Sequence, residues 1–421
     1  MLDINKIEID FDKVYSNLKK RNKDFKNELD EVVKLNSQRK KITFEVEELK
    51  SEKNKMSKEI GNLARENKQE EIEKIKNSVS KINLKIEELD IELKTINDEL
   101  NLKLSYIPNI PNENIPLGID DNDNIEIKKW GSENLKNNGE AHWEIASKLK
   151  LVDFELGSKL SGSRFVVYTN KGAKMIRALT DILITRHTNN GYKEMWLPLI
   201  VNKENMYGTG QLPKFEEDAY KLDNQYLIPT SEVPLTNTVR DKILDKSELP
   251  IYLTAFTQCF RREAGSAGRD TKGLIRLHQF NKVEMVKITD SESSYEELEK
   301  MLLDAEHCLQ LFNLPYRVVE LCGGDIGFSS AKTYDLEVWF PNQNKYREIS
   351  SCSNCLDFQA KRIMTRYKNE HGKNEYVHTL NGSGLAIDRL FAAIMENYYD
   401  GEKLILPEIL KPYFENQDFL K

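Results

Sequence analysis

Phe260-Arg261-Arg262-Glu263-Ala264-Gly265-Ser266-Ala267-Gly268-Arg269-Asp270-Thr271, continuing through Arg276 and Phe280 to Glu284, is the stretch on which the reading of the fold turns. One β-rich run ends at Phe260, a loop of small and charged residues follows, and a second β-rich run carries Phe280 and Glu284. Two strands about such a loop make a hairpin, an antiparallel element. Its chemistry suits a nucleotide site built without a P-loop, in which arginines meet phosphates, Glu263 meets a base edge and an aromatic ring covers the base. A plain surface hairpin would not need Arg261, Arg262, Arg269 and Arg276 around glycines.

Outward from the hairpin, short β-rich runs fall at 226–228, 252–260, 282–288, 316–319, 333–339 and 346–349. Helical stretches lie near 172–188, 296–312 and 384–397. Hairpin-type spacing with few crossover helices predicts an antiparallel sheet in an α+β domain over residues 131–421. Upstream, Pro108-Asn109-Ile110-Pro111-Asn112-Glu113-Asn114-Ile115-Pro116 and the polar residues 120–124 read as a linker, assigned to 108–130.

Residues 1–107 have a different character. Val32, Leu35, Ile42, Val46, Leu49, Met56, Ile60 and Leu63 alternate steps of three and four, with Arg39 and Lys53 on two seam positions. After a polar break at 65–70 the pattern resumes as Ile72, Ile75, Val79, Ile82, Ile86, Leu89, Leu93, Ile96 and Leu100. Two such seams predict an antiparallel two-helix coiled coil over about 31–104, an arm on the order of 45 Å long at ~1.5 Å per residue. The first helix carries Lys34, Arg39, Lys40, Lys41, Lys50, Lys53, Lys55 and Lys58. Periodicity alone leaves two readings open: a spacer or dimerising coil with a solvated face, or a probe whose cations touch a nucleic-acid backbone.

Bulk properties narrow the class. The 421 residues suggest two domains, and 31% charged against 39% hydrophobic residues fits a globular core joined to a long exposed helical element. A formal charge of −7 argues against wholesale coating of nucleic acid but allows a local basic strip. Five cysteines in a chain of this length form no disulfide framework. Cys352-Ser353-Asn354-Cys355 lacks a second pair of ligands at zinc spacing, so it is expected to be structural. No apolar run approaches the ~20 residues of a membrane span, and the expected compartment is the cytoplasm.

With these segments in order, the chain resembles the bacterial-type seryl-tRNA synthetases, class II aminoacyl-tRNA synthetases, over essentially its whole length. The resemblance rests on the arm, on Tyr192-Lys193-Glu194-Met195-Trp196-Leu197-Pro198, on Thr209-Gly210-Gln211-Leu212-Pro213-Lys214-Phe215, on Pro229-Thr230-Ser231-Glu232, on the hairpin, and on Asn381-Gly382-Ser383-Gly384-Leu385-Ala386-Ile387-Asp388-Arg389. It implies an ATP-dependent serine–tRNA ligase that is a homodimer built through the first of these motifs. Its substrates would be L-serine, tRNA(Ser) and, where that tRNA exists, tRNA(Sec).

The resemblance also implies roles. Arg261 would hold the α-phosphate and the serine carboxylate, Glu263 the adenine amino group, Phe280 the ring, and Arg276 and Arg389 the outer phosphates or the other side of the base. Glu348, with Ser351, would bind Mg²⁺, and Arg262, Ile349 and Ser350 would complete the ATP site. Arg261, Glu348 and Arg389 would be the catalytic group. Thr230, Ser231, Glu232, Arg261, Glu284, Asn381 and Ser383 would bind serine, and the basic residues of the first arm helix would bind tRNA. Arg262, Leu277, Asp388 and Leu390 depart from the family pattern without removing an assigned catalytic residue. A ligase for another amino acid or for a carrier protein, and an inactive tRNA-binding paralogue, are the rival readings. The serine-pocket residues, the intact arm and the Arg261–Glu263–Glu348–Arg389 set speak against them in turn.

Overall fold

The structure is a computed structural model that describes residues 1–264 and 272–421, so Arg269 and the rest of 265–271 lie outside the described residues. The chain forms two compact units, one comprising Leu2–Lys19 and Asp24–Pro108, the other comprising Met1, Lys20–Lys23 and Asn109–Lys421.

In the first unit, helix α1 (Lys26–Arg65) and helix α2 (Gln69–Tyr106) pack as an antiparallel pair about 60 Å long at ~1.5 Å per residue. Val32, Leu35, Ile42, Val46, Leu63, Ile72, Ile86 and Leu100 are buried along the seam, and Arg39 and Lys53 are half-buried there. Lys50–Asp90 at 3.8 Å and Lys103–Glu31 at 2.7 Å tie one helix to the other. Asn36, also buried, donates to Glu8 at 2.7 Å, and Lys40 pairs with the same carboxylate.

The second unit is built on eight strands: β1 (Ile125–Trp130), β2 (Lys193–Glu194), β3 (Ile251–Phe260), β4 (Gln279–Thr289), β5 (Tyr316–Glu320), β6 (Lys332–Phe340), β7 (Lys345–Asn354) and β8 (His378–Ala386). Their order is β1-β5-β6-β7-β8-β4-β3-β2, antiparallel throughout except for the parallel β2–β3 edge. The quoted hairpin is β3–β4, paired from Phe260↔Gln279 down to Ile251↔Ile288. β1 is a strand where the sequence predicted linker, because its apolar residues Ile125 and Ile127 are exposed and give no burial signal.

Helices α3 (His142–Lys148), α4 (Asn170–Asn189), α5 (Ser294–Leu311) and α6 (Ile387–Tyr398) pack against the sheet in the main core. Strand alternation divides β4 between two faces. Val283 and Met285 enter the core with Met301 and Ala305 of α5, while Lys282 and Glu284 face the other way.

One expectation is corrected. The predicted helix over 384–397 begins at Ile387, and Gly382-Ser383-Gly384 belong to β8. Glycines are needed there for close approach: a Cβ on Gly382 would sit 2.8 Å from the Met301 sulfur, and one on Gly384 2.2 Å from His187 Nε2. They make room for helix side chains against a strand and do not punctuate a turn.

Candidate active site on the open face of the sheet

Phe280, Lys282 and Glu284 alternate along β4 and so share the face turned from the helices, and Arg261 extends β3 beside them. The Arg261 guanidinium lies 5.2 Å from the Phe280 ring centroid, and its Nε donates to the Pro229 carbonyl at 3.2 Å. Across the cleft, Arg389 in the first turn of α6 donates from Nη1 to the Glu348 carbonyl at 2.7 Å and from Nε to the Ile275 carbonyl at 3.0 Å. Arg261, Glu263, Arg276, Phe280, Lys282, Glu348, Ile349, Ser383 and Arg389 all line this cleft, which is open to solvent. Glu263 adopts a left-handed backbone at φ 54 and pairs with Arg276 at 3.4 Å. A bulky residue held there is strained, which is common where a side chain is aimed at a ligand.

A deeper polar cluster continues from this cleft. Lys282 is buried, ion-pairs with Glu284, and donates to the Thr230 hydroxyl at 2.9 Å, which in turn donates to Glu284 at 3.2 Å. Glu232, opening the short helix Glu232–Asn237, accepts from Gln359 at 2.6 Å and from Asn381 at 3.3 Å. Burial, and then the charge of Glu284, push the Glu232 carboxyl up to about 7, against the pull of Gln359, Lys282 and Arg261. Burial raises Glu284 as well, with Lys282 opposing. Glu284 is matched by Lys282, so it is Glu232, buried beside that second carboxylate and bonded to amide groups, that would welcome an ammonium ion.

A third corner is rich in oxygen. The β6–β7 register shifts so that Leu336 faces Ser350 while Glu337 faces Glu348, leaving Ile349 as an extra residue. In a regular strand Glu348 and Ser351, three apart, would point to opposite faces; the bulge turns both toward the cleft side. Asp335, directly opposite Ser351, bonds to its hydroxyl, and its Oδ1 is buried without a hydrogen-bond partner. Burial and then the Glu348 charge push Asp335 well above its ordinary range. Desolvation raises Glu348 too, but Arg389 and Arg261 outweigh it and hold that carboxyl below its usual value. A hydroxyl and two carboxylates, one of them with an unpartnered oxygen, are a donor set that fits a hard divalent cation.

The seryl-tRNA synthetase N-terminal domain matches residues 1–111, and the tRNA synthetase class II core domain (G, H, P, S and T) matches residues 214–398. A serine–tRNA ligase of Mesoplasma florum is 63% identical over 421 residues, which is 100% of each chain. The chain belongs to the seryl-tRNA synthetase family. The seryl-tRNA synthetase of Pyrococcus horikoshii, solved in complex with ATP, superposes with a TM-score of 0.92 at 34% identity, covering 100% of this chain and 99% of that one. The cytoplasmic serine–tRNA ligase of Naegleria fowleri, solved with AMP, gives 0.88 at 29% identity, with the same coverage.

Within this seryl-tRNA synthetase, most of the residues named from sequence converge. Thr230, Glu232, Glu284 and Asn381 meet in the deep cluster, and Arg261, Glu263, Arg276, Phe280, Glu348, Ile349 and Arg389 meet in the cleft. Three of them do not turn toward it. Ser231 bonds the buried Thr257 hydroxyl at 2.6 Å, Ser350 donates to the Ser383 carbonyl at 2.6 Å, and Arg262 is exposed and does not line the cleft. Cys352 and Cys355 are buried free thiols, the latter accepting from Asn381 at 3.6 Å.

Sequence reasoning missed Lys282, Gln359 and Asp335. Lys282 carried a signal, since it sits between Phe280 and Glu284 in the same alternation. Gln359 and Asp335 carried none, because only the packed sheet brings them to Glu232 and Ser351.

Proposed function

We propose that this chain activates L-serine with ATP and transfers it to the terminal ribose of tRNA(Ser). The observation that carries the reading is that the arginine-lined cleft adjoins, through Lys282, a buried cluster in which Glu232 is bonded to amide groups and its raised pKa marks a place for an added cation. Serine would enter with its ammonium toward Glu232 and its hydroxyl among Thr230, Glu284 and Ser383. An analogue lacking the hydroxyl would leave buried acceptors unpaired, which is a strong basis for rejection.

In this reading Arg261 binds both the serine carboxylate and the α-phosphate and so brings the two reactants into contact. The carboxylate oxygen attacks the α-phosphorus in line, the bond to the β-phosphate oxygen breaks, and pyrophosphate leaves with the electron pair. Negative charge gathers on the α-phosphoryl oxygens, which Arg261 would meet. Phe280 and Glu263 orient the adenine, and Arg276 and Arg389 restrain the outer phosphates. A Mg²⁺ ion held by Glu348, Ser351 and Asp335 would neutralise phosphate charge. In the second half-reaction the tRNA hydroxyl attacks the adenylate carbonyl and AMP departs. No enzyme nucleophile is required, so the protein's part is positioning and charge stabilisation.

Residues 1–107 would serve as the tRNA-binding unit. Lys34, Arg39, Lys40, Lys41, Lys50, Lys53, Lys55 and Lys58 would face phosphates, although Lys40 and Lys50 already have carboxylate partners. Residues 131–421 form the catalytic unit, with β1 from the 108–130 segment added to its sheet. A homodimer through α4 and the run to Pro198 is supported by Trp196, 87% exposed in the single chain. tRNA(Sec) is proposed as a further substrate and the cytoplasm as the compartment; among the described residues no helix is long and apolar enough to cross a membrane. The test is pyrophosphate exchange into ATP with a panel of amino acids. Serine alone should support it, and exchange driven by threonine, or by none, would overturn the reading.

A further inference from the structure

We propose that His142 and Glu396 form a buried positioning pair that sets the segment Gly273–Arg276 against the nucleotide cleft, an inference that rests on the proposed ATP-dependent activation. His142 and Glu396 side chains are both 0% exposed. The Leu274 amide donates to His142 Nε2 at 3.0 Å, so this nitrogen must be the acceptor, and the proton lies on Nδ1, which donates to Glu396 Oε1 at 2.7 Å. The carboxylate therefore selects the tautomer that the loop requires. Glu396 is itself fixed by the backbone amides of His142 at 3.2 Å and Asn342 at 2.9 Å.

Helix α6 thus holds two successive residues of the loop. Near its start, Arg389 Nε takes the Ile275 carbonyl at 3.0 Å; two turns later, Glu396 acts through His142 on the Leu274 amide. The next residue, Arg276, reaches Glu263 at 3.4 Å across the cleft mouth. Gly273 completes the fit: at φ +77, an added Cβ would lie 2.1 Å from His142 Nε2. The loop backbone rests directly on the imidazole, with no room for another residue.

The pair lies outside the deep serine cluster, so its loss should be felt by one substrate. Replacing His142 with Leu removes the acceptor while keeping bulk; H142Q returns an oxygen near the Nε2 position. In serine-dependent pyrophosphate exchange, H142L should raise the KM for ATP ~tenfold, the size expected for stranding one buried amide, with the KM for serine within about twofold. H142Q should restore the ATP KM to within about threefold of the parent. In parallel, hydrogen–deuterium exchange at the Leu274 amide should be slow in the parent and in H142Q and fast in H142L. Equal losses for both substrates, H142Q no better than H142L, or an unchanged Leu274 exchange rate would each overturn the proposal. If H142L fails to fold, G273A, which drives a methyl group into the imidazole, must give the same ATP-selective rise, and an unaltered ATP KM there would overturn it. Should the parent show no serine-dependent exchange, the functional reading falls, while the Leu274 exchange rates still decide the pair.

Discussion

Glu232 carries the most consequential perturbation in the site. Its carboxyl is held near 7 by burial and by Glu284, against an ordinary value of 4.5. Between those values the folded chain binds a proton that the unfolded chain has released. Its contribution to stability is therefore fully present below 4.5 and is lost as pH rises through about 7. Binding has the opposite sign, because an ammonium group needs the ionised carboxylate. We expect kcat/KM for serine in pyrophosphate exchange to climb with pH through about 7, the free-enzyme value. In E232Q that limb should vanish and kcat/KM for serine should drop by about ten- to a hundredfold, the cost of one hydrogen bond to a charged partner. A limb that survives in E232Q would assign the titration to another group, Glu284 being the first to test.

At the scale of elements, the arm was the most legible part of the chain, because a two-helix seam needs nothing beyond its own periodicity. Even its two irregular positions, Arg39 and Lys53, are half-buried where the spacing puts them. The hairpin was legible for a similar reason: its strands are adjacent in sequence and alternate cleanly. β8 was not among the predicted runs, and its end was taken into the helix over 384–397, because the fit of Gly382 and Gly384 is set by Met301 and His187, which are distant in sequence. The bulge at Ile349 was not legible, since it is defined by the register of β6 opposite it. The site divides along the same line: residues on β4 announce themselves by alternation, while Asp335 and Gln359 depend on contacts distant in sequence. Because the arm stands on its seam alone, it should fail locally. Ile86 is 8% exposed on that seam, and I86D would bury an unpaired carboxylate there at a cost on the order of 3 kcal/mol. Thermal melts followed by helical circular dichroism should show an early loss of part of the signal while serine-dependent exchange at 25 °C is retained. A single cooperative transition lowered together with activity would show that seam and core melt as one.

For the molecule as a whole, the separation into two compact units predicts a separation of the two half-reactions. The groups assigned to serine and ATP lie in the second unit, among them Arg261 beside β3, Glu284 on β4, Glu348 on β7 and Arg389 on α6. Every cation assigned to the tRNA backbone lies on α1. Glu31 and Lys103 are ion-paired at 2.7 Å, so the two helix stumps left by removing residues 33–103 are neighbours and a short Gly-Ser linker can join them. That deletion should leave serine-dependent pyrophosphate exchange within about threefold of the parent, because no residue that aligns the reactants is touched. Aminoacylation of tRNA(Ser) should fall by at least about a hundredfold, since several phosphate contacts are lost together, and the residual reaction should be much less sensitive to salt than the parent's. Collapse of exchange along with aminoacylation would mean that the core depends on the arm for its own structure. Aminoacylation that survives with its salt dependence unchanged would remove tRNA binding from α1 and return the arm to the spacer role that its periodicity alone allowed.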